Sequence, residues 1–152
     1  MDELDSAIVT QLQLDARVSN RELARRLGIA PSTCLERVRA LRERGVITGY
    51  RAELDLAKLN RRVQALVSAQ VRPLSRSVID SFQEAVAALP EVLEVLVVAG
   101  GDDFWIRVAV QDNERLHAFL VDHLAKRREV VGFRTLVVFQ QSSKKVLTAL
   151  PD

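Results

Sequence analysis

Apolar positions along the chain recur with two different periods. Leu4, Ile8 and Leu12 stand four apart, which predicts a short helix over about Leu4 to Leu14. A second helix opens at "SNRE", where Ser19 as N-cap and Glu22 three residues on make a capping box. Leu23, Ala24 and Leu27 form its buried side, and Gly28 supplies the left-handed residue that ends it. Pro31 suits the first turn of a third helix, which runs to Gly45. Cys34, Val38 and Leu41 cluster on one side of that helix, while Ser32, Glu36, Arg39, Ala40 and Glu43 lie on the other, flanked by Thr33. The alternation in "GVITGYRAEL" predicts a small strand or wing around Gly49.

From Val63 onward the period changes to two. "VQALVSAQVR" places Val63, Ala65, Val67, Ala69 and Val71 on one face and Gln64, Leu66, Ser68, Gln70 and Arg72 on the other, a strand stopped by Pro73. "SRSVIDSFQEAVAALP" returns to helical spacing, with Val78, Ile79, Phe82, Val86 and Leu89 inward. "VLEVLVVA" and "FWIRVAV" are strands separated by Gly100-Gly101-Asp102-Asp103, which reads as a hairpin turn. A second helix over "NERLHAFLVDHLAKRR" has Asp112 as N-cap and Leu116, Phe119, Leu120 and Leu124 inward, and "VVGFRTLVVFQ" is a fourth strand.

The resulting order, three helices and then β-α-β-β-α-β, is an α+β chain. Two short helices joined by a Gly-containing turn form a helix-turn-helix, here with a wing behind it, and the second part is the split-βαβ, ferredoxin-like pattern. The predicted divisions are residues 1–51, a linker over 52–62, and 63–152. Both ferredoxin-like helices cover one face of the sheet. The strands carry apolar residues on both sides, Leu66 opposite Val67, Trp105 opposite Ile106, and Leu136 and Val138 opposite Val137 and Phe139. The uncovered face is therefore not wholly polar and points to self-association as a two-fold dimer.

Charge sharpens the N-terminal reading. The whole chain has a formal net charge of +2, yet Arg17 to Arg51 holds nine arginines against three acids. A basic segment on a helix-turn-helix favours double-stranded DNA over a plain three-helix core with a charged surface. In that geometry Ser32, Thr33 and Glu36 face base edges, with Arg37, Arg39 and Arg42 placed to reach bases or phosphates. A single cysteine fits a reducing compartment, and the acidic start "MDELDSAIV" lacks a secretory n-region, so the expected location is cytoplasmic, on the nucleoid, with no membrane association.

Catalytic chemistry finds little support. Cys34 lies on the buried stripe of the third helix, and His117 and His123 stand about 240° apart around theirs, which does not suit a shared metal. "GGDD" lacks the strand-to-helix context of a phosphate loop, and Glu94, Asp102 and Asp103 have no nucleophile beside them. No enzyme activity, no metal and no cofactor are expected. The alternative to a regulator is an effector-independent architectural protein that organises DNA.

The residues "LDSAIVTQLQLDARVSNRELARRLGIAPSTCLERVRALRERGVITGYRAEL" resemble the helix-turn-helix signature of the Lrp/AsnC, or feast/famine, transcriptional regulators. "GGDDFWIRV" and "TLVV" in the last strand extend that resemblance over the rest of the chain. It implies a DNA-binding domain linked to a ferredoxin-like domain that senses ligands and oligomerises, in homodimers assembling into octamers. It also implies a small effector, commonly an amino acid, bound between subunits. The matching positions are Gly100, Gly101, Asp102, Asp103, Leu136 and Val138. Asp103 would hold an effector's ammonium, and the backbone around Gly100 and Gly101 its carboxylate. The chain departs from the family pattern at Ala30, where a Ser or Thr usually opens the recognition helix. It departs again at Asp102, usually aromatic, and at Phe133, often threonine.

Overall fold

Each helix begins where a side chain satisfies an orphan backbone N–H. Asp2 caps α1 (Glu3–Leu14) by accepting from the Asp5 N–H, and Ser19 caps α2 (Asn20–Leu27) by accepting from the Glu22 N–H. Ser75 and Asp112 do the same for α4 (Arg76–Ala87) and α5 (Asn113–Leu120). The exception is α3 (Pro31–Glu43), whose N-cap is Ala30 and which has no side-chain cap. Gly28 ends α2 in the left-handed conformation at φ 66°, and its N–H returns to the Ala24 and Arg25 carbonyls.

The computed structural model describes residues 1–150, in two units. The first is Met1–Glu53 together with the tail from Ser142. Its core is Ile8, Leu23, Ala24, Cys34 and Leu41, with Leu4, Leu12, Leu27, Val38 and Ile47 packed around it. The tail is fastened to α1 by one amide: Gln13 Nε2 donates to the Leu147 carbonyl at 2.9 Å, and Gln13 Oε1 accepts from its N–H at 2.8 Å.

Two local expectations change here. The reciprocal half of the capping box is missing, because the Glu22 carboxylate turns to Arg25 and Arg26 and leaves Ser19 as the only arm. The segment from Val46 to Arg51 forms no strand, since the described part of this unit offers no second strand to pair with it. The Val46 and Ile47 N–H groups instead both donate to the Leu41 carbonyl.

The second unit, Leu54–Gln141, is an antiparallel sheet in the order β2-β3-β1-β4, with β1 Val63–Val71, β2 Val92–Val97, β3 Phe104–Val110 and β4 Val130–Val138. Ala65, Val67, Ala69 and Val71 of β1 and Phe104, Ile106, Val108 and Val110 of β3 point to the face covered by α4 and α5. Phe82 of α4 packs on Phe104 with ring centroids 4.6 Å apart, and the Arg127 guanidinium lies 5.6 Å from the Phe82 ring centre. The second long helix is less regular than its spacing predicts: after Leu120 it widens into a π-helical turn, Val121–Ala125, which still buries Leu124 completely.

Candidate nucleic-acid interface and effector loop

The start of α3 is set by α2. Asn20 Nδ2 donates to the Pro31 carbonyl at 2.8 Å, which ties the first residues of the two helices together across the Gly28 turn. At about 100° per residue, Ser32, Glu36 and Arg39 fall within about 60° of one another on α3, and all three are exposed. Thr33 is exposed on the shoulder of that face.

Arg37 belongs to a different side of the helix. It lies about 140° round from Ser32 and is committed within the chain: its Nη1 donates to Asp2 Oδ2 and, at 3.2 Å, to Asp5 Oδ1. Arg44 completes the arrangement with Nη2 donating to Asp5 Oδ2 at 2.7 Å. Hydrogen bonds from the Asp5 N–H and then from Arg37 hold the Asp2 carboxyl below its usual range, and Asp2 raises Arg37 in turn. Asp5 and Arg44 were not anticipated from sequence. The available signal was an acid beside the Leu4/Ile8/Leu12 stripe and two arginines seven apart on α3. On α2, Glu22 accepts from Arg25 at 2.7 Å and from Arg26 at 2.9 Å, which lowers its pKa to about 2. Cys34 is fully buried and burial pushes its thiol pKa up, the state of a core residue.

In the second unit, Gly100 to Asp103 lie in the loop from β2 to β3. The loop is closed by Val98 N–H donating to the Asp103 carbonyl at 2.9 Å, and Gly100 sits at φ 146°. Asp103 N–H donates to the Ala69 carbonyl at 3.0 Å, and Gln70 Nε2 donates to the Gly101 carbonyl. Asp103 Oδ2 accepts twice, from the Val71 N–H at 2.8 Å and from Arg72 Nη1 at 2.9 Å. Asp102 Oδ2 accepts from Arg134 Nη2 at 2.5 Å, a partner on β4. Gln70, Arg72 and Arg134 are thus neighbours of the candidate loop that sequence reading missed, because strand register brings them to it.

Cross-strand partners in an antiparallel sheet share a face. Leu66 pairs with Leu136, Gln64 with Val138, Ser68 with both Trp105 and Arg134, and Leu96 with Trp105. All therefore lie on the face opposite α4 and α5, where Leu96 is 48% and Leu136 is 56% exposed. Ser68 is buried, and its Oγ has no hydrogen-bond partner among the described residues. The loop meets β1 at Ala69 and Gln70, whereas Leu136 and Val138 meet it four and six residues from Gln70. At ~3.3 Å per residue that is about 13 Å and about 20 Å. One chain places the loop and the last-strand positions on the same face but does not bring them together.

Residues 1–48 match the winged helix-turn-helix DNA-binding family, and residues 64–146 match the Lrp/AsnC ligand binding domain. The chain is 40% identical over 140 residues to the HTH-type transcriptional regulator AldR of Mycolicibacterium smegmatis, covering 92% of this chain and 82% of that protein. It is 34% identical over 152 residues to the transcriptional regulator AzlB of Bacillus subtilis, covering 100% of this chain and 97% of AzlB. The crystal structure of the Neisseria meningitidis transcriptional regulator NMB0573 in complex with L-Met superposes with a TM-score of 0.88 at 27% identity, covering 99% of this chain and 96% of that one. With both family matches in one chain, and relatives of this identity along nearly its whole length, the chain belongs to the Lrp/AsnC family of DNA-binding transcriptional regulators.

Proposed function

We propose that this regulator binds specific DNA sites as a homodimer or a larger assembly, octameric by family resemblance, and that an amino acid or similar small effector held between subunits modulates the binding. The observation that carries this reading is the open sheet face. It exposes Leu96 and Leu136, and the β1 positions that face Leu136 and Val138 lie about 13 Å and about 20 Å along the strand from Gln70, where the loop is held. A two-fold partner laid on that face covers the leucines and brings its own Leu136 toward this chain's loop. The L-Met complex of the Neisseria meningitidis relative supports an amino acid as the ligand class. In this chain Asp103 Oδ1 makes no hydrogen bond among the described residues and is the atom left for an ammonium, while Oδ2 anchors the loop.

DNA affinity falls steeply with salt, because arginine–phosphate contacts release counterions. Half-sites read by one dimer lie about 34 Å apart or a multiple of it. An effector shifts the assembly only by its difference in affinity for the competing states. The test is a thermal-shift screen against the twenty amino acids, followed by gel shifts with each hit on a duplex selected by the wild-type chain. A hit that raises the melting temperature and changes DNA affinity is expected, as is loss of both responses in Asp103→Ala while DNA binding persists. An effector response unchanged in Asp103→Ala would remove that carboxylate from the site, and no amino-acid response at all would remove the ligand class.

A further inference from the structure

We propose that the four arginines of α3 and its C-cap divide into two pairs with different work, and that Asp5 is the positioning residue that separates them. Arg37 and Arg44 clamp α3 to α1 and set its orientation, which leaves Arg39 and Arg42 to meet DNA. This rests on α3 being the helix that enters the groove.

Arg37 and Arg44 are seven residues apart, so they project from nearly the same side of α3 at points two turns distant. Asp5 takes one on each oxygen, with its side chain only 4% exposed. Asp2, at the N-cap of the same helix, takes Arg37 as well. The two helices also share an apolar cluster that includes Ile8, Cys34 and Leu41. Apolar packing of ridges into grooves sets a helix crossing angle only to within about 15–20°. A buried carboxylate that holds two guanidinium groups at different heights removes that freedom, since either sliding or rotating α3 breaks one of the two bonds. Arg39 and Arg42 are exposed and make no ion pair among the described residues. Arg37 meets both carboxylates through the single atom Nη1, so a point charge suffices there. The rigid two-nitrogen fork of arginine, which matches the guanine edge, is not used at Arg37.

The experiment uses the full chain and two duplexes, one selected by the wild type from a random pool and one random, with affinities measured across a salt series. Thermal unfolding confirms that each variant is folded at the temperature of measurement. The clamp predicts that Arg37→Lys keeps the wild-type preference for the selected duplex within about threefold. Arg37→Met and Asp5→Asn should each lower that preference about tenfold or more while leaving the salt slope on random DNA unchanged. The double variant should be no worse than the worse single one, because both remove the same constraint. Arg39→Met should instead flatten the salt slope by about one. The clamp is overturned if Arg37→Met flattens the slope, if Arg37→Lys behaves like Arg37→Met, or if the Asp5 and Arg37 losses add. Should Asp5→Asn not fold, the contrast between Arg37→Lys and Arg37→Met decides alone. A wild-type chain that prefers no duplex overturns the groove-reading role of α3 itself, an outcome distinct from failure of the clamp.

Discussion

The two units of this chain finish their folding in opposite ways. The helix-turn-helix unit gathers Ile8, Leu23, Cys34 and Leu41 into a closed core and turns charge outward, with Arg39 and Arg42 exposed on or beside the polar face of α3. The sheet unit buries Phe104, Ile106 and Val108 on one face beneath α4, with its Phe82, and α5, and leaves Leu96 and Leu136 uncovered on the other. The first unit closes its core and presents a surface suited to a polyanion. The second satisfies half of its sheet and needs a further layer. A small three-helix fold can bury each helix's single apolar stripe, whereas a sheet strand carries two faces and two helices cover only one.

The largest expected break of this contrast comes from the open face. Leu136→Glu should shift the assembly toward monomer, read as a fall in mass by sedimentation, without changing the helix-turn-helix core. An unchanged mass would mean that this face is not the interface. Next come the two cores. Phe82→Ala should cost about 3–5 kcal/mol, seen in the urea unfolding of the second unit by fluorescence of Trp105, the chain's one tryptophan. Leu41→Ala should cost about 2–5 kcal/mol in the first unit and leave the Trp105 transition in place. A shift of both transitions by either change would join what the contrast separates.

Smaller effects test the helix ends. Ser19→Ala should cost the first unit about 1 kcal/mol, measured by far-UV circular dichroism in urea, since Ser19 is the one side-chain arm capping α2. The smallest is a pH effect. Glu22 falls from its ordinary 4.5 to about 2 in the folded chain, so its contribution to stability is present above pH 4.5 and is lost as pH falls toward 2. Glu22→Gln should therefore flatten the acid loss of first-unit stability over that window. An acid profile identical to wild type would show that the Arg25 and Arg26 pairs add nothing.

Much of the fold was legible because it depends on near neighbours. Helical spacing marked Phe82, Val86, Leu116 and Phe119 as inward, and alternation put Phe104 and Trp105 on opposite faces of β3, as observed. Gly28 and Ser19 were readable because a cap acts within four residues. The candidate sites were less legible. Arg37 was placed with Arg39 on the strength of type and proximity in sequence, yet its direction round the helix carries it to Asp2 and Asp5, more than thirty positions away. Glu22 had the spacing of a capping box, but two neighbouring guanidinium groups outcompeted one backbone N–H for its oxygens. Val46 to Arg51 had the alternation of a strand and no partner to pair with.

The sequence by itself determined the elements, their order and which side of each is apolar. Those properties arise from backbone geometry and side-chain periodicity within a few residues. Within one helix near neighbours pair, as Glu22 does with Arg25 and Arg26, but tertiary structure decided which charges distant in sequence meet. Strand register brings Arg134 of β4 to Asp102 and Arg72 to Asp103, and the packing of α1 on α3 brings two arginines to one buried aspartate. The same register sets Leu136 and Val138 on the loop's face but at a distance from the loop, so that the candidate effector site is open in a single chain. Ion pairing is short-ranged and directional, and local periodicity carries no information about which distant side chain a fold will place opposite.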